Sequence, residues 1–369
     1  DNNITTDNTD SEEKDLLRIE KSGKILGILN KYQSDETDKK HLSPSALKKY
    51  INCPLQFYFS YIVKLKESDE VSEIIDSADF GTVFHRVMEL FYTEGHTDIE
   101  EAKNICEKEF LDTINATHED SKKLYNKVIL SLLNNFLEST LKYDSTRNFE
   151  FAAAEKEILF TIDKLNFKGI IDRIDIDREK KIINIIDYKT SKPQKQTKIE
   201  FQHLFSNNSA GQEVLQVLIY CKAVSESKEF CKELGIDDPE NYSIRPMIYK
   251  IYDIYNDDKK GEDIREQEIT ITVSKNIESK MKDIFPNLGN DDDLQNLFKN
   301  EEMPDTDVTC KIEDYKTWRY KNEFEFYLGT IAKDIINNTH FEPPCKALRN
   351  CTFCPYLHLC RKESEVKTF

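Results

Sequence analysis

Residues 165–190 read LNFKGIIDRIDIDREKKIINIIDYKT. Apolar and polar residues alternate through Leu165–Asp177, and Arg178–Lys180 make a polar turn. A largely apolar run then leads into Asp187-Tyr188-Lys189-Thr190. Period-two alternation on both sides of a turn predicts antiparallel strands over 165–177 and 181–189. Successive strand residues point to opposite faces, so Asp187 and Lys189 share one face and Tyr188 takes the other. A hairpin sets Asp172 beside Asp187. Two carboxylates and a lysine at one sheet end suit a hard cation such as Mg²⁺, with an ammonium beside it. Such an ion activates water and neutralises phosphate charge, while the lysine stabilises the transition state. A surface hairpin with solvated salt bridges carries the same residues, and D-x-K alone is a weak signal.

Working outward, Phe151–Ile162 predicts a third strand, joined to 165–177 by the turn Asp163-Lys164. Apolar spacings of three and four predict helices over 80–93, 99–115, 121–143 and 211–225, and a long one over 311–338. Strands are predicted over 242–254 and 265–273, and the acidic stretches 66–79, 256–263 and 289–293 read as loops. Ser43-Pro44 is a helix start, since Ser caps free amides and Pro tolerates the first helical position. A second start follows at Pro54, and the almost wholly apolar stretch 55–63 reads as buried. The fold class expected is α/β, a mixed central sheet flanked by helices. Four regions result. Residues 1–40, with a short apolar patch at Ile25–Leu29, are a loose, disorder-prone lead-in holding at most one helix. Residues 41–150 are an N-terminal helical region, 151–275 the core, and 276–369 C-terminal helices with a Cys-rich tail.

The 52 Lys and Arg against 69 Asp and Glu leave a net charge of −17. This argues against a surface coated for DNA binding but leaves room for a narrow basic channel. The local run Lys189, Lys192, Lys195, Lys198 suits phosphate contacts or a solvated loop equally. No apolar run reaches the roughly 18 residues of a membrane span. The chain opens on Asp1 without a secretory leader, which reads as a segment of a longer cytoplasmic protein with reduced thiols. No G-x-x-x-x-G-K-[S/T] occurs: Gly23-Lys24 has Arg18 five residues before Gly23, so no ATP hydrolysis is expected.

Three further signals accompany the strand pair. Gly81 and His85 share a helix face, Glu155 lies on the first strand with Glu157 two residues on, and Gln216 and Tyr220 share a face of the following helix. Each alone reads more readily as a core histidine, an edge charge or an ordinary helix-face polar. Together, in this order, they resemble the RecB-family branch of the PD-(D/E)XK nucleases. The resemblance implies a restriction-endonuclease-like core and Mg²⁺- or Mn²⁺-dependent DNA hydrolysis. It implies that Asp172, Asp187 and the Tyr188 carbonyl ligate metal, that Lys189 is the catalytic lysine, and that His85 and Glu155 complete the site. Gln216 and Tyr220 would support it and touch DNA. Asp175 matches a common acidic position that does not ligate metal.

Cys351, Cys354 and Cys360 form C-x₂-C-x₅-C, and three thiolates so close ask for a fourth ligand. Cys53 is the candidate, Cys345 its rival and His358 a weaker one. The spacing fits zinc and iron–sulfur alike. One early Cys with this closing pattern resembles the nuclease domains of AddB-type bacterial helicase–nucleases, over residues 42–362. That resemblance implies a [4Fe–4S] cluster, a helicase partner subunit, a single-stranded or free-ended DNA substrate, and work in double-strand-break repair and recombination. A stand-alone or CRISPR-adaptation exonuclease is one alternative. A catalytically silent, metal-stapled DNA-binding or interaction module is another, with zinc in place of iron.

Overall fold

The computed structural model describes residues 17–33, 39–65, 77–117, 123–192, 198–265, 267–285, 306–343, 351 and 354–360. Strand β1 (Ile19–Glu20) and helix α1 (Gly23–Asn30) come first. Helix α2 (Pro44–Asn52) starts where Ser43 Oγ accepts the Ala46 N–H at 3.3 Å, with Pro44 opening the first turn. Cys53 ends α2 and begins α3 (Pro54–Phe57), which runs into a π-helical segment, Tyr58–Val63. Three helices follow: α4 (Ser77–Thr93), α5 (Ile99–Thr117) and α6 (Lys123–Ser145). Next come β2 (Glu150–Ile162), β3 (Leu165–Asp177) and β4 (Ile182–Lys189). After them lie α7 (Ser209–Glu226), α8 (Lys228–Glu233), β5 (Ser243–Lys250), α9 (Ile251–Lys260), β6 (Thr270–Val273) and α10 (Ile277–Ile284). Strand β7 (Val308–Lys311), helix α11 (Lys321–Asn337) and strand β8 (His340–Phe341) complete the order.

The central sheet runs β2-β3-β4-β5, antiparallel through β4 and parallel between β4 and β5. It is the mixed α/β architecture expected. Both faces are covered, which is why β4 is buried along nearly its whole length. On one face Ile174 and Ile185 pack with residues of α2, α3, α7 and α11. On the other, Ile186 and Tyr188 pack with residues of α4, α5, α6 and α9. Each fully buried isoleucine contributes about 1.5–3 kcal/mol to that layering. No helix among the described residues is long and apolar enough to cross a membrane.

Five expectations are corrected. The strand predicted over 242–254 ends at Lys250, level with Lys189, where β4 stops offering ladder partners. Ile251 and Ile254 are buried at helical spacing, so the chain turns into α9, and the acidic stretch expected as a loop is its last turn, closed by Gly261 at φ 68°. The strand predicted over 265–273 is confined to β6. The helix predicted over 311–338 begins only at Lys321, because Val308–Lys311 pair with β6. The loose lead-in does not hold for residues 17–33, where β1 pairs with β8 across more than three hundred residues. Stretches 66–76, 193–197 and 289–293 lie outside the described residues.

Candidate active site

The β3–β4 ladder pairs Arg173 with Ile186 and Ile174 with Ile185. One more step along that register sets Asp172 opposite Asp187. Asp172 Oδ2 accepts the Tyr188 N–H at 2.8 Å, which joins the two strand ends. On the other side of β3, the pairs Ala154–Arg173 and Lys156–Ile171 bracket Glu155, which stands opposite Asp172. Glu155 has φ 45°, a left-handed conformation inside a strand. Such backbone costs a non-glycine residue about 1–3 kcal/mol and collects at functional sites. Glu157 pairs instead with Lys168 and is exposed.

His85 reaches this point from α4. Its Nδ1 lies 3.5 Å from Asp172 Oδ2 and 3.8 Å from Glu155 Oε1, and its Nε2 lies 3.2 Å from the Tyr188 carbonyl. Gly81, one turn earlier, lets α4 approach the end of β4: a Cβ there would sit 3.1 Å from Thr190 Oγ1. The ligand atoms of His85, Glu155 and Asp172 all lie within 4.8 Å of one another. Asp187 is buried and its carboxylate contacts the Lys189 ammonium. From α7, Gln216 Nε2 donates to Asp187 Oδ1 and to the Tyr220 hydroxyl, both at 3.2 Å. The Tyr220 ring fills the space left by Gly169, where a Cβ would meet Cε1 at 2.5 Å.

Burial, then the neighbouring Asp187 carboxylate, pushes Asp172 up to about 7. Burial alone would lower His85 and Lys189. The carboxylates win in both cases: Glu155 with Asp172 and Asp187 raises His85, and Asp187 with Asp172 and Glu213 raises Lys189. Two groups in this set carry no signal in the motif pattern. Lys48 of α2 donates to Gln216 Oε1, and burial brings its ammonium down to about 8. Glu213 of α7 is held up by burial beside Lys189. A lysine in the second turn of an amphipathic helix reads as surface, and only the docking of α2 on α7 brings it here.

Carboxylates outnumber bases in this cluster. Asp172, Asp187 and Glu155 face one lysine, Lys189, and the raised His85, while Glu213 stands beside Lys48. Carboxylate oxygens with one imidazole suit a hard divalent cation. The donor set therefore fits the implied metal.

The opposite face of the same strands carries a second ionic cluster. Arg173 Nε donates to Asp175 Oδ1 and its Nη1 to Asp144 Oδ2, both at 2.7 Å, and Nη1 also reaches the Tyr188 hydroxyl at 3.1 Å. Arg147 lies 3.4 Å from Asp175 Oδ2. Tyr92 and Tyr249 donate to Asp144 at 2.6 and 2.8 Å. The Arg173 guanidinium lies 3.9 Å from the Tyr92 ring centroid and 4.7 Å from that of Phe149.

The tail docks on the chain's first helices. Tyr356 donates to the Leu65 carbonyl at 3.1 Å, bonds Ser60 Oγ at 3.1 Å and packs on Phe59. Burial raises the Cys53 thiol, the Leu55 and Gln56 N–H groups lower it, and Cys354 and Cys351 are close enough to raise it further. Cys360 is buried and His358 exposed, while Cys345 lies outside the described residues.

The profile of the PD-(D/E)XK nuclease superfamily matches residues 41–361. Among curated proteins, the chain is similar to a subunit of the ATP-dependent helicase/deoxyribonuclease of Carboxydothermus hydrogenoformans. That match is 24% identical over 378 aligned residues, covering 89% of this chain and 32% of that protein. Subunits of the same name match at 22% identity in Clostridium perfringens strain SM101 and 24% in Clostridioides difficile strain 630. These cover 91% and 88% of this chain, and 31% and 30% of those proteins. The chain spans about a third of the length of the curated relatives it matches.

Proposed function

Because the chain belongs to the PD-(D/E)XK nuclease superfamily, we propose that it hydrolyses DNA phosphodiesters from an end, with Mg²⁺ or Mn²⁺ at the His85–Glu155–Asp172–Asp187 cluster. The observation that carries this is the meeting of His85, Glu155 and Asp172 ligand atoms within 4.8 Å of one another at the end of β3 and β4, with the Lys189 ammonium on the neighbouring Asp187. Asp172, Asp187, His85 and the Tyr188 carbonyl are the assigned ligands. A cation held there would supply charge neutralisation and a more acidic water.

The chain's own residues do the rest. Lys189, kept protonated by Asp187, donates toward the attacking water and the charge growing on phosphate. Gln216 holds Asp187 in place, and Tyr220 continues that support toward the substrate. The tail is assigned a [4Fe–4S] cluster on Cys53, Cys351, Cys354 and Cys360, with zinc as the lesser choice. Cys354 and Cys351 stand near enough to Cys53 to raise its thiol, which supports a thiolate metal site there. Such a site would staple the two ends of the chain around the catalytic sheet. The relatives' printed names support a role as the nuclease segment of a helicase–nuclease. We further assign it single strands fed by a partner, in break repair and recombination.

The test is cleavage of end-labelled single-stranded and blunt duplex DNA by anaerobically purified protein, with and without Mg²⁺. Metal-dependent, ATP-independent loss of single strands is expected. Equal rates on both substrates, or no cleavage with any divalent metal, would overturn it. Iron and sulfide content per chain, in the native protein and in Cys53→Ser, decides the cluster.

A further inference from the structure

One half-buried cation at the site has no part in the steps above. Lys48 is carried on α2, whose Ala46, Leu47 and Tyr50 are buried in the core, so packing of that helix sets where the lysine stands. Its ammonium donates to Gln216 Oε1. An amide has one oxygen acceptor and one nitrogen donor end. With Oε1 engaged by Lys48, Nε2 is turned to Asp187 Oδ1 and the Tyr220 hydroxyl. The flipped amide would set its oxygen against the Asp187 carboxylate and its N–H groups against an ammonium, two repulsive contacts in place of two attractive ones.

A second rung holds this arrangement. Gln212 Nε2 donates to Asn52 Oδ1 at 2.6 Å and to the Ser206 carbonyl at 3.1 Å. Lys48 and Asn52 are four residues apart on α2, as are Gln216 and Gln212 on α7, so two polar contacts a helical turn apart join the helices. The other charged groups acting on Lys48 are Lys189, Asp187, Glu213 and Asp172.

We propose that Lys48 is a positioning residue: it fixes the amide of Gln216 in the one orientation that holds Asp187 and Tyr220 in the site. This rests on the nuclease reading for its kinetic readout and stands apart from it in a metal-binding readout. The experiment compares the native protein with Lys48→Met, Gln216→Ala and the double variant. Cleavage of a labelled single-stranded oligonucleotide is followed over a substrate and a Mg²⁺ series, and Mn²⁺ affinity is measured by titration without DNA. Lys48→Met should lower kcat at least tenfold, change KM less than threefold and weaken Mn²⁺ binding severalfold. In the Gln216→Ala background it should cost less than twofold more, since residues acting as one unit are not additive. Should Lys48→Met fail to fold, Lys48→Gln carries the same comparison.

A rise in KM with kcat unchanged would make Lys48 a phosphate contact and overturn the proposal, as would independent effects in the double variant. If the native protein cleaves nothing, the nuclease reading fails, and Mn²⁺ affinity alone decides for Lys48. Native-like affinity in Lys48→Met then sinks it.

Discussion

The two faces of the β3–β4 pair both bury charge, and they settle it differently. Toward α6, Asp144 and Asp175 meet Arg173 and Arg147, two against two, with tyrosine hydroxyls and aromatic rings around them. Toward α7, three carboxylates meet Lys189 and the raised His85, so acid stays in excess. The first cluster is balanced by its own arginines. The second presents close ligand atoms with carboxylates outnumbering bases. Strand alternation makes this possible, since Asp172 and Arg173 are neighbours in sequence and belong to opposite chemistries.

The largest contrast is expected from one substitution on each face. Lys189→Ala should lower cleavage by about 10³-fold, the scale of a lost transition-state donor, with little change in melting temperature. Near-native turnover in the folded variant would remove the site from the α7 face. Arg173→Met should do the reverse. It leaves two buried carboxylates with Arg147 as their one arginine, and breaking a buried ion pair costs about 3–5 kcal/mol of stability. Chemical denaturation reads this directly, and a fully stable Arg173→Met protein would mean the network is not holding the strands.

Smaller effects sharpen the boundary of the acid-rich cluster. Glu155→Gln should weaken metal binding or activity by roughly 10- to 100-fold, as for groups that orient metal ligands. Glu157→Gln, which loses only an exposed pair with Lys168, should stay within twofold in the same assay. Equal effects would mean the left-handed turn at Glu155 does not select between them. The smallest change is Gly169→Ala. Its methyl must displace the Tyr220 ring, an overpacking cost of about 1–3 kcal/mol. Activity should fall further than stability, since Tyr220 leads through Gln216 to Asp187. A variant as active as the native protein would release Tyr220 from that chain.

Much of the sheet was legible because its signals are local. The turns at Asp163-Lys164 and Arg178–Lys180 bound β3 at Leu165 and Asp177, as read from alternation. The same alternation misled beyond Lys250, where strand and helix spacing coincide and only the end of β4 chooses between them. β7 went unread, with only Lys311 inside the predicted helix, because its partner, β6, lies nearly forty residues away. Among the site residues, Asp172, Asp187, Lys189, His85, Gln216 and Tyr220 stood out by spacing, and the structure brings them together.

The sequence by itself determined the α/β class, the strand pair and the order of the motif residues, because those follow from side-chain period and turn chemistry. Tertiary structure alone decided which glutamate turns into the site. It also decided that Asp144 and Arg147 would neutralise the far face, and that Lys48 would meet Gln216. The reason is the same in each case. These contacts join residues from 17 (Glu155 and Asp172) to 168 (Lys48 and Gln216) positions apart, so they exist only once helices have packed on both faces of the sheet. No local pattern encodes which side chains that packing brings within bonding distance.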